Sequence, residues 1–260
     1  MTLAELRRCY LDKAHAMPRA LEAELRKDGR PGAQALLNAI AERRRANRAE
    51  GQRLRVMLRF ETACWNQGIA LVAGIDEAGM SPLAGPVAAA AVVLAPGTRL
   101  PGVDDSKKLT AEERERLAPI IRERAHACAV AFVECDEIDR VNIYRAGLLA
   151  MVRAVSALPV QPQHLLIDGR HLKDLDLPQQ RIFGGDGKSL SIAAASILAK
   201  TARDERMRLF DLAYPGYGFA KHKGYGTRDH IRALNRLGVC PIHRLSFEPV
   251  RRARERSGRR

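Results

Sequence analysis

The chain has 260 residues, 46% of them hydrophobic, enough to bury a core without disulfides or a structural metal. Its five cysteines are scattered and include no CxxC pair, which excludes a zinc knuckle and points to reduced thiols. Net charge is +14, from 44 Lys and Arg against 30 Asp and Glu, and directs attention to a polyanionic partner or an anionic surface. No apolar run approaches the roughly 20 residues of a membrane span. The amino terminus mixes acids and bases without an apolar signal core, so a cytoplasmic protein with no membrane partner is expected.

The positive charge is unevenly spread. Residues 1–70 carry 14 bases and 8 acids, and residues 251–260 carry six arginines and one acid. Between them the balance is nearly even.

Residues 1–27 read as helix, with Pro18 as an interruption or new start, and residues 28–32 form a strong turn signal. A second helix is expected over 33–63, bearing a basic patch at Arg43, Arg44, Arg45 and Arg48. Residues 1–68 therefore read as a basic helical extension that could bind substrate.

From residue 69 the texture changes. Residues 69–75 are strand-like and stop at Asp76-Glu77; a Gly/Pro-punctuated loop and a second apolar strand, 86–94, follow. Thr110 and Glu113 have capping-box spacing at the start of a helix over 110–124. A strand over 127–135 and a helix over 138–158 come next. A short strand over 165–167 ends on Asp168, and another over 180–183 leads to Asp186. Helices over 191–212 and 228–237 complete residues 69–250, and the arginine-rich 251–260 is expected to be disordered. Such an order implies an α/β domain with a mixed sheet.

Two strands thus end in carboxylates, and ligands of open α/β sheets gather beyond strand ends. Asp76, Glu77, Asp168 and Asp186, brought together without histidines, would repel one another unless hard cations neutralise them, which favours magnesium or manganese over zinc. Two such ions about 3.5–4 Å apart are a known device for phosphodiester cleavage. Strand-end acids are also commonly caps or turn formers, and both readings stand at this point. The competing motifs are weak. Gly187-Lys188-Ser189 lacks the upstream glycine of a phosphate-binding loop, where Ile182 stands, and neither GxSxG nor HExxH occurs. His222 and His243 read as surface or hydrogen-bonding residues, Cys240 as a small buried one, and Asp204 as an exposed helix charge or ion pair. Arg244 reads equally as a phosphate contact or a helix cap.

The run Gly74-Ile75-Asp76-Glu77-Ala78-Gly79, then Pro82-Leu83-Ala84-Gly85-Pro86-Val87, resembles the opening motif of the ribonuclease HII family. So do Asp105-Ser106-Lys107-Lys108-Leu109, Asp168-Gly169, Gly185-Asp186, and the later segments around Tyr225 and His243. The resemblance covers residues 70–250, and more weakly the amino-terminal segment. It implies a ribonuclease H-like mixed sheet flanked by helices, and an endonuclease cutting RNA within RNA–DNA hybrids or beside ribonucleotides embedded in DNA. It implies Mn2+ or Mg2+ in a two-ion site; no obligate protein partner is evident in the sequence. Asp76, Glu77, Asp168 and Asp186 match the family's catalytic, metal-binding carboxylates. Tyr225 matches a tyrosine that packs on a sugar, and Lys107 and Lys108 fall in a segment near the substrate backbone. One substrate-binding turn departs from the family's usual Gly-Arg-Gly and reads Gly79-Met80-Ser81. Met80 removes a guanidinium, and Ser81 would be costly if its backbone needed positive φ. Gly184 stands where members often have Lys. These departures leave one alternative, a hybrid nuclease with weakened single-ribonucleotide preference; a second, from a different class, is a non-catalytic hybrid-binding protein, against which the presence of all four acids argues.

Overall fold

The computed structural model describes residues 2–13 and 15–257. Five stretches rich in Val, Ile, Leu and Ala pair into one mixed sheet: β1 (Val72–Ala78), β2 (Val87–Val93), β3 (Ala127–Val133), β4 (His164–Asp168) and β5 (Gln179–Ile182), in the order β3-β2-β1-β4-β5. The β1–β2 and β2–β3 pairs are antiparallel, while β1–β4 and β4–β5 are parallel. The mixed directions expected from the sequence are realised. One boundary differs: β1 does not stop before its acids. Its ladder with β2 continues through Asp76↔Ala90 and Glu77↔Ala89 to Ala78↔Ala88, so both carboxylates are inside the strand.

Two helices cover the sheet. On one side lies α7 (Ile143–Ser156), over a core that includes Ile75, Val87, Met151 and Ile167. On the other lies α8 (Leu190–Ala213), whose first turns are buried and rich in alanine. A Cβ at Gly74 would collide with the Ser191 and Ile192 backbone, so glycine there lets α8 approach β1 closely. The capping box at Thr110 and Glu113 forms and starts α5 (Ala111–Arg124).

The helix expected over 138–158 is two, α6 (Cys135–Val141) and α7. Asn142 divides them with φ +71, and its side chain accepts a hydrogen bond from the Arg145 N–H. At the carboxyl end, residues 251–257 are not disordered as expected. They continue α11 (Glu248–Ser257), whose Val250 and Ala253 are buried in a cluster with Leu83 and Leu234. Apolar residues at helical spacing outweigh the surrounding arginines. Residues 258–260 lie outside the described ones.

The chain separates into two compact units, 1–55 and 56–260. The first contains α1 (Leu3–Arg7), a π-helical turn (Arg8–Asp12), α2 (Arg19–Lys27) started by Pro18, and most of α3 (Pro31–Met57). It has its own core of Leu6, Met17, Leu25, Ala33, Leu36 and Ile40. Two arginines of the expected basic patch are used inside it: Arg43 donates to the Leu11 carbonyl at 2.8 Å, and Arg44 pairs with Glu22 at 2.6 Å. The second unit begins earlier than the 69 expected. It includes α4 (Arg59–Trp65), whose Phe60, Cys64 and Trp65 pack with Val72, Leu166 and Ile192. The buried Glu61 accepts hydrogen bonds from the Ser189 hydroxyl (2.6 Å) and from the Ser191 N–H (2.9 Å) and hydroxyl (2.6 Å), tying α4 to the start of α8.

Candidate active site

Strand register assembles the acids. Ile75 is opposite Ile167 in the parallel β1–β4 pair, so the next residues, Asp76 and Asp168, fall side by side at the end of that pairing. Asp168 in turn pairs with Ile182 of β5, and the chain then turns back in a short 3-10 segment, Gly185–Gly187. There the Gly185 N–H donates to Asp168 Oδ1 at 2.7 Å, and Asp186 follows. The result is one carboxylate oxygen from each of Asp76, Asp168 and Asp186, all within 4.8 Å of one another.

Glu77 is outside that set. Neighbouring residues of a strand point to opposite faces, and Glu77 Oε1 lies 3.3 Å from the Arg170 guanidinium instead. It still belongs to the same electrostatic field. Burial first, then the charge of Glu77, pushes the Asp76 carboxyl well above its usual range. Glu77 is itself raised by burial, against the pull of Arg170, and Asp168 is raised by burial against the Gly185 N–H. Carboxylates this close and this buried resist ionisation until a cation joins them. One is already supplied by the chain: Lys107 Nζ lies 2.5 Å from Asp186 Oδ2, which raises the pKa of Lys107. The donors are all oxygen, so the set suits magnesium or manganese.

The other expected contacts are dispersed. Lys108 pairs with Asp104 at 3.1 Å. Tyr225 is partly exposed, with Lys200 Nζ 5.5 Å and the Arg203 guanidinium 5.9 Å from its ring centroid. In the turn after β1, Gly79 has φ +94, and a Cβ there would strike Arg203. Met80 points inward and packs on the core under α7. Ser81 is exposed and is not among the residues with positive φ, so the cost expected of it is not incurred.

Two residues decide the shape of this turn. Arg244 is fully buried and is not exposed to a phosphate. Its guanidinium donates to the carbonyls of Gly79 (2.6 Å), Met80 (3.0 Å) and Gly85 (2.8 Å). Burial lowers its pKa to about 10, which leaves it charged at neutral pH. Arg203, equally buried, donates to Pro86, Ala84 and Lys223 carbonyls. Asp204 is buried rather than exposed, paired with Lys200 at 2.8 Å. His222 and His243 are also buried. His243 Nε2 is 3.1 Å from His230 Nε2, its Nδ1 is 3.1 Å from Cys240 Sγ, and the His222 ring stacks on His230. The sequence carried no signal for the buried arginines. For Arg170 it carried only nearness to Asp168.

A mixed five-stranded sheet with a triad of carboxylates where the pairing of its interior strands β1 and β4 ends defines a metal-dependent ribonuclease H-like nuclease. The described fold is similar to the crystal structure of ribonuclease H2 from Pyrococcus horikoshii OT3, at 27% identity and TM-score 0.64, covering 73% of this chain and 100% of that one. The Ribonuclease HII family model matches residues 73–250, and the Ribonuclease HII N-terminal domain model matches 9–65. Ribonuclease HII of Anaeromyxobacter sp. (strain Fw109-5) is 58% identical over 97% of this chain and 80% of its own length. That of Myxococcus xanthus (strain DK1622) is 56% identical over 96% and 86%. The chain belongs to the ribonuclease HII family.

Proposed function

We propose that this chain, a metal-dependent endoribonuclease acting on RNA–DNA hybrids, uses Asp76, Asp168 and Asp186 as the centre of a two-ion site and also cuts beside single ribonucleotides embedded in DNA. The observation that carries the reading is the set of three carboxylate oxygens within 4.8 Å. Magnesium or manganese held there would supply an activated water and charge stabilisation for the leaving oxygen. Glu77 would join the ligand set only by giving up its pairing with Arg170. Lys107, which pairs with Asp186, would be available to a backbone phosphate where a metal takes over that carboxylate, and Lys108 adds a second cation on the same segment. The buried guanidinium of Arg244 presets the Gly79-Met80-Ser81 backbone, whose amides supply donors to a ribose 2′-hydroxyl. That preset backbone supports single-ribonucleotide recognition despite the missing arginine at 80. Tyr225 offers a ring for sugar packing. Arg45 and Arg48, exposed on the amino-terminal unit, add phosphate contacts. Such an activity serves DNA replication and repair in the cytoplasm.

The test compares cleavage of a continuous hybrid with cleavage of a duplex holding one ribonucleotide, with Mg2+, Mn2+ or EDTA. Cutting of both with either metal and neither with EDTA is expected. Hybrid cleavage alone would support the weakened-preference alternative, and binding without cleavage at saturating manganese would leave a hybrid-binding protein.

A further inference from the structure

We propose that the cleft between α7 and the β4–β5 connection is a track for the substrate strand flanking the scissile phosphate, with Tyr144 as its packing plate. The proposal rests on the nuclease reading above and adds a binding surface to it.

The cleft has a volume of about 570 Å³. Its floor is apolar, with Leu148 and Val152 of α7 against Leu172, and its rim carries Arg145 and Lys173. Both are exposed, and among the described residues no ion pair engages either. At its mouth stands Tyr144, an aromatic side chain left 58% exposed. The ring is not loose, because the Arg170 guanidinium lies 5.1 Å from its centroid.

Arg170 joins this plate to the acidic site. One of its nitrogens is 3.3 Å from Glu77, while its buried Nη1 has no hydrogen-bond partner. The guanidinium fits because position 147 is glycine: a Cβ there would lie 2.9 Å from both Arg170 Nη1 and Met80 Sδ. Tyr144, Arg170 and Glu77 thus form a continuous chain of contacts from the cleft to β1.

A nucleic-acid strand matches both parts of this surface. Its sugars and bases have faces that pack on an aromatic ring, and its phosphates suit a cationic rim. Asp174 is the one acid lining the cleft, against Arg145 and Lys173.

The experiment measures hybrid binding by the full chain in EDTA, where cleavage does not interfere, using one short duplex spanning only the scissile site and one long duplex. Tyr144→Ala should weaken binding of the long hybrid about 5- to 50-fold. Arg145→Ala with Lys173→Ala should make the log–log salt slope shallower by about 1 to 2. Both should leave the short hybrid and the melting temperature unchanged. Parental affinity and salt slope on the long hybrid in both variants would overturn the proposal. So would an equal loss on the short hybrid, since Tyr144 would then act through Arg170 and Glu77. So too would undiminished hybrid binding together with lost binding of an acidic peptide. Failure of the parent chain to cleave hybrids with metal would instead remove the nuclease reading, leaving the binding comparison to be judged separately.

Discussion

Arg244 reaches the carbonyl oxygen of Gly79 at 2.6 Å from 165 positions along the chain, and it does so from a fully buried site. The same guanidinium holds Met80 and Gly85, so one side chain satisfies three buried or half-buried carbonyls. It is the fixed point of the turn that follows β1.

Replacing Arg244 by Ala strands those carbonyls without a donor, at about 1–3 kcal/mol each. A loss of at least about 3 kcal/mol in urea unfolding is expected. Lysine lacks the planar fork and should not restore it. Full stability in Arg244→Lys would show that a compact ammonium can replace the planar fork.

Asp76→Asn and Asp168→Asn keep shape and remove charge from a crowded acidic site. Hybrid cleavage should fall by orders of magnitude while hybrid binding in EDTA persists. The metal-free variants should melt no lower than the parent, and the rise in melting temperature on adding Mn2+ should shrink. Normal turnover in both would remove these residues from the reaction.

Truncations distinguish the two ends proposed for the amino-terminal unit. A chain beginning at Val56 keeps α4 and should unfold cooperatively with near-parental stability, binding hybrids with a shallower salt slope. A chain beginning at residue 69 loses Phe60, Glu61, Cys64 and Trp65, exposing Val72, Leu166 and Ile192 and leaving Ser189 and Ser191 without their acceptor. It should be less stable by several kcal/mol or fail to fold. Within the full chain, Glu61→Leu should cost about 2–4 kcal/mol by the same lost bonds.

Ser81 has no backbone conformation that asks for glycine. Ser81→Gly should therefore leave single-ribonucleotide cleavage within about twofold and lower stability by about 0.4–1 kcal/mol, through the greater freedom of the unfolded chain. Met80→Arg must leave the space beside Gly147 that it shares with the cationic Arg170, and should lose core packing. A selective gain at single ribonucleotides in the Met80→Arg, Ser81→Gly pair would show that the guanidinium matters more than the turn.

The buried histidines set an acid limit. Burial depresses His230 and His243 to about 4, from an ordinary value near 6.5. Below 6.5 the unfolded chain takes up protons that the folded chain refuses, so stability present at neutral pH is lost as pH falls from 6.5 toward 4. Melting temperature measured against pH should fall through this window. His243→Gln should flatten the fall, and an unchanged slope would assign it to other groups.

The sequence by itself determined the order of the five strands, the helices over 110–124, 191–212 and 228–237, the capping box at Thr110, and Asp76, Asp168 and Asp186 as candidate ligands. Apolar period, turn residues and short motifs are local properties, and they survive folding unchanged. It also carried the family, because the segments around Asp76, Asp168 and Asp186 are contiguous. Only the tertiary structure decided which acids share a point in space. Asp76 and Asp168 meet through strand register across 92 residues, whereas Glu77, one residue away, faces Arg170 because a pleated strand alternates its sides. The extent of the second compact unit was likewise hidden, since α4 reads as a continuation of α3 until Glu61 is seen to hold Ser189 and Ser191. The buried roles of Arg203 and Arg244 could not be read locally at all. A guanidinium looks the same in sequence whether it meets phosphate or backbone carbonyls, and burial by distant segments makes the choice.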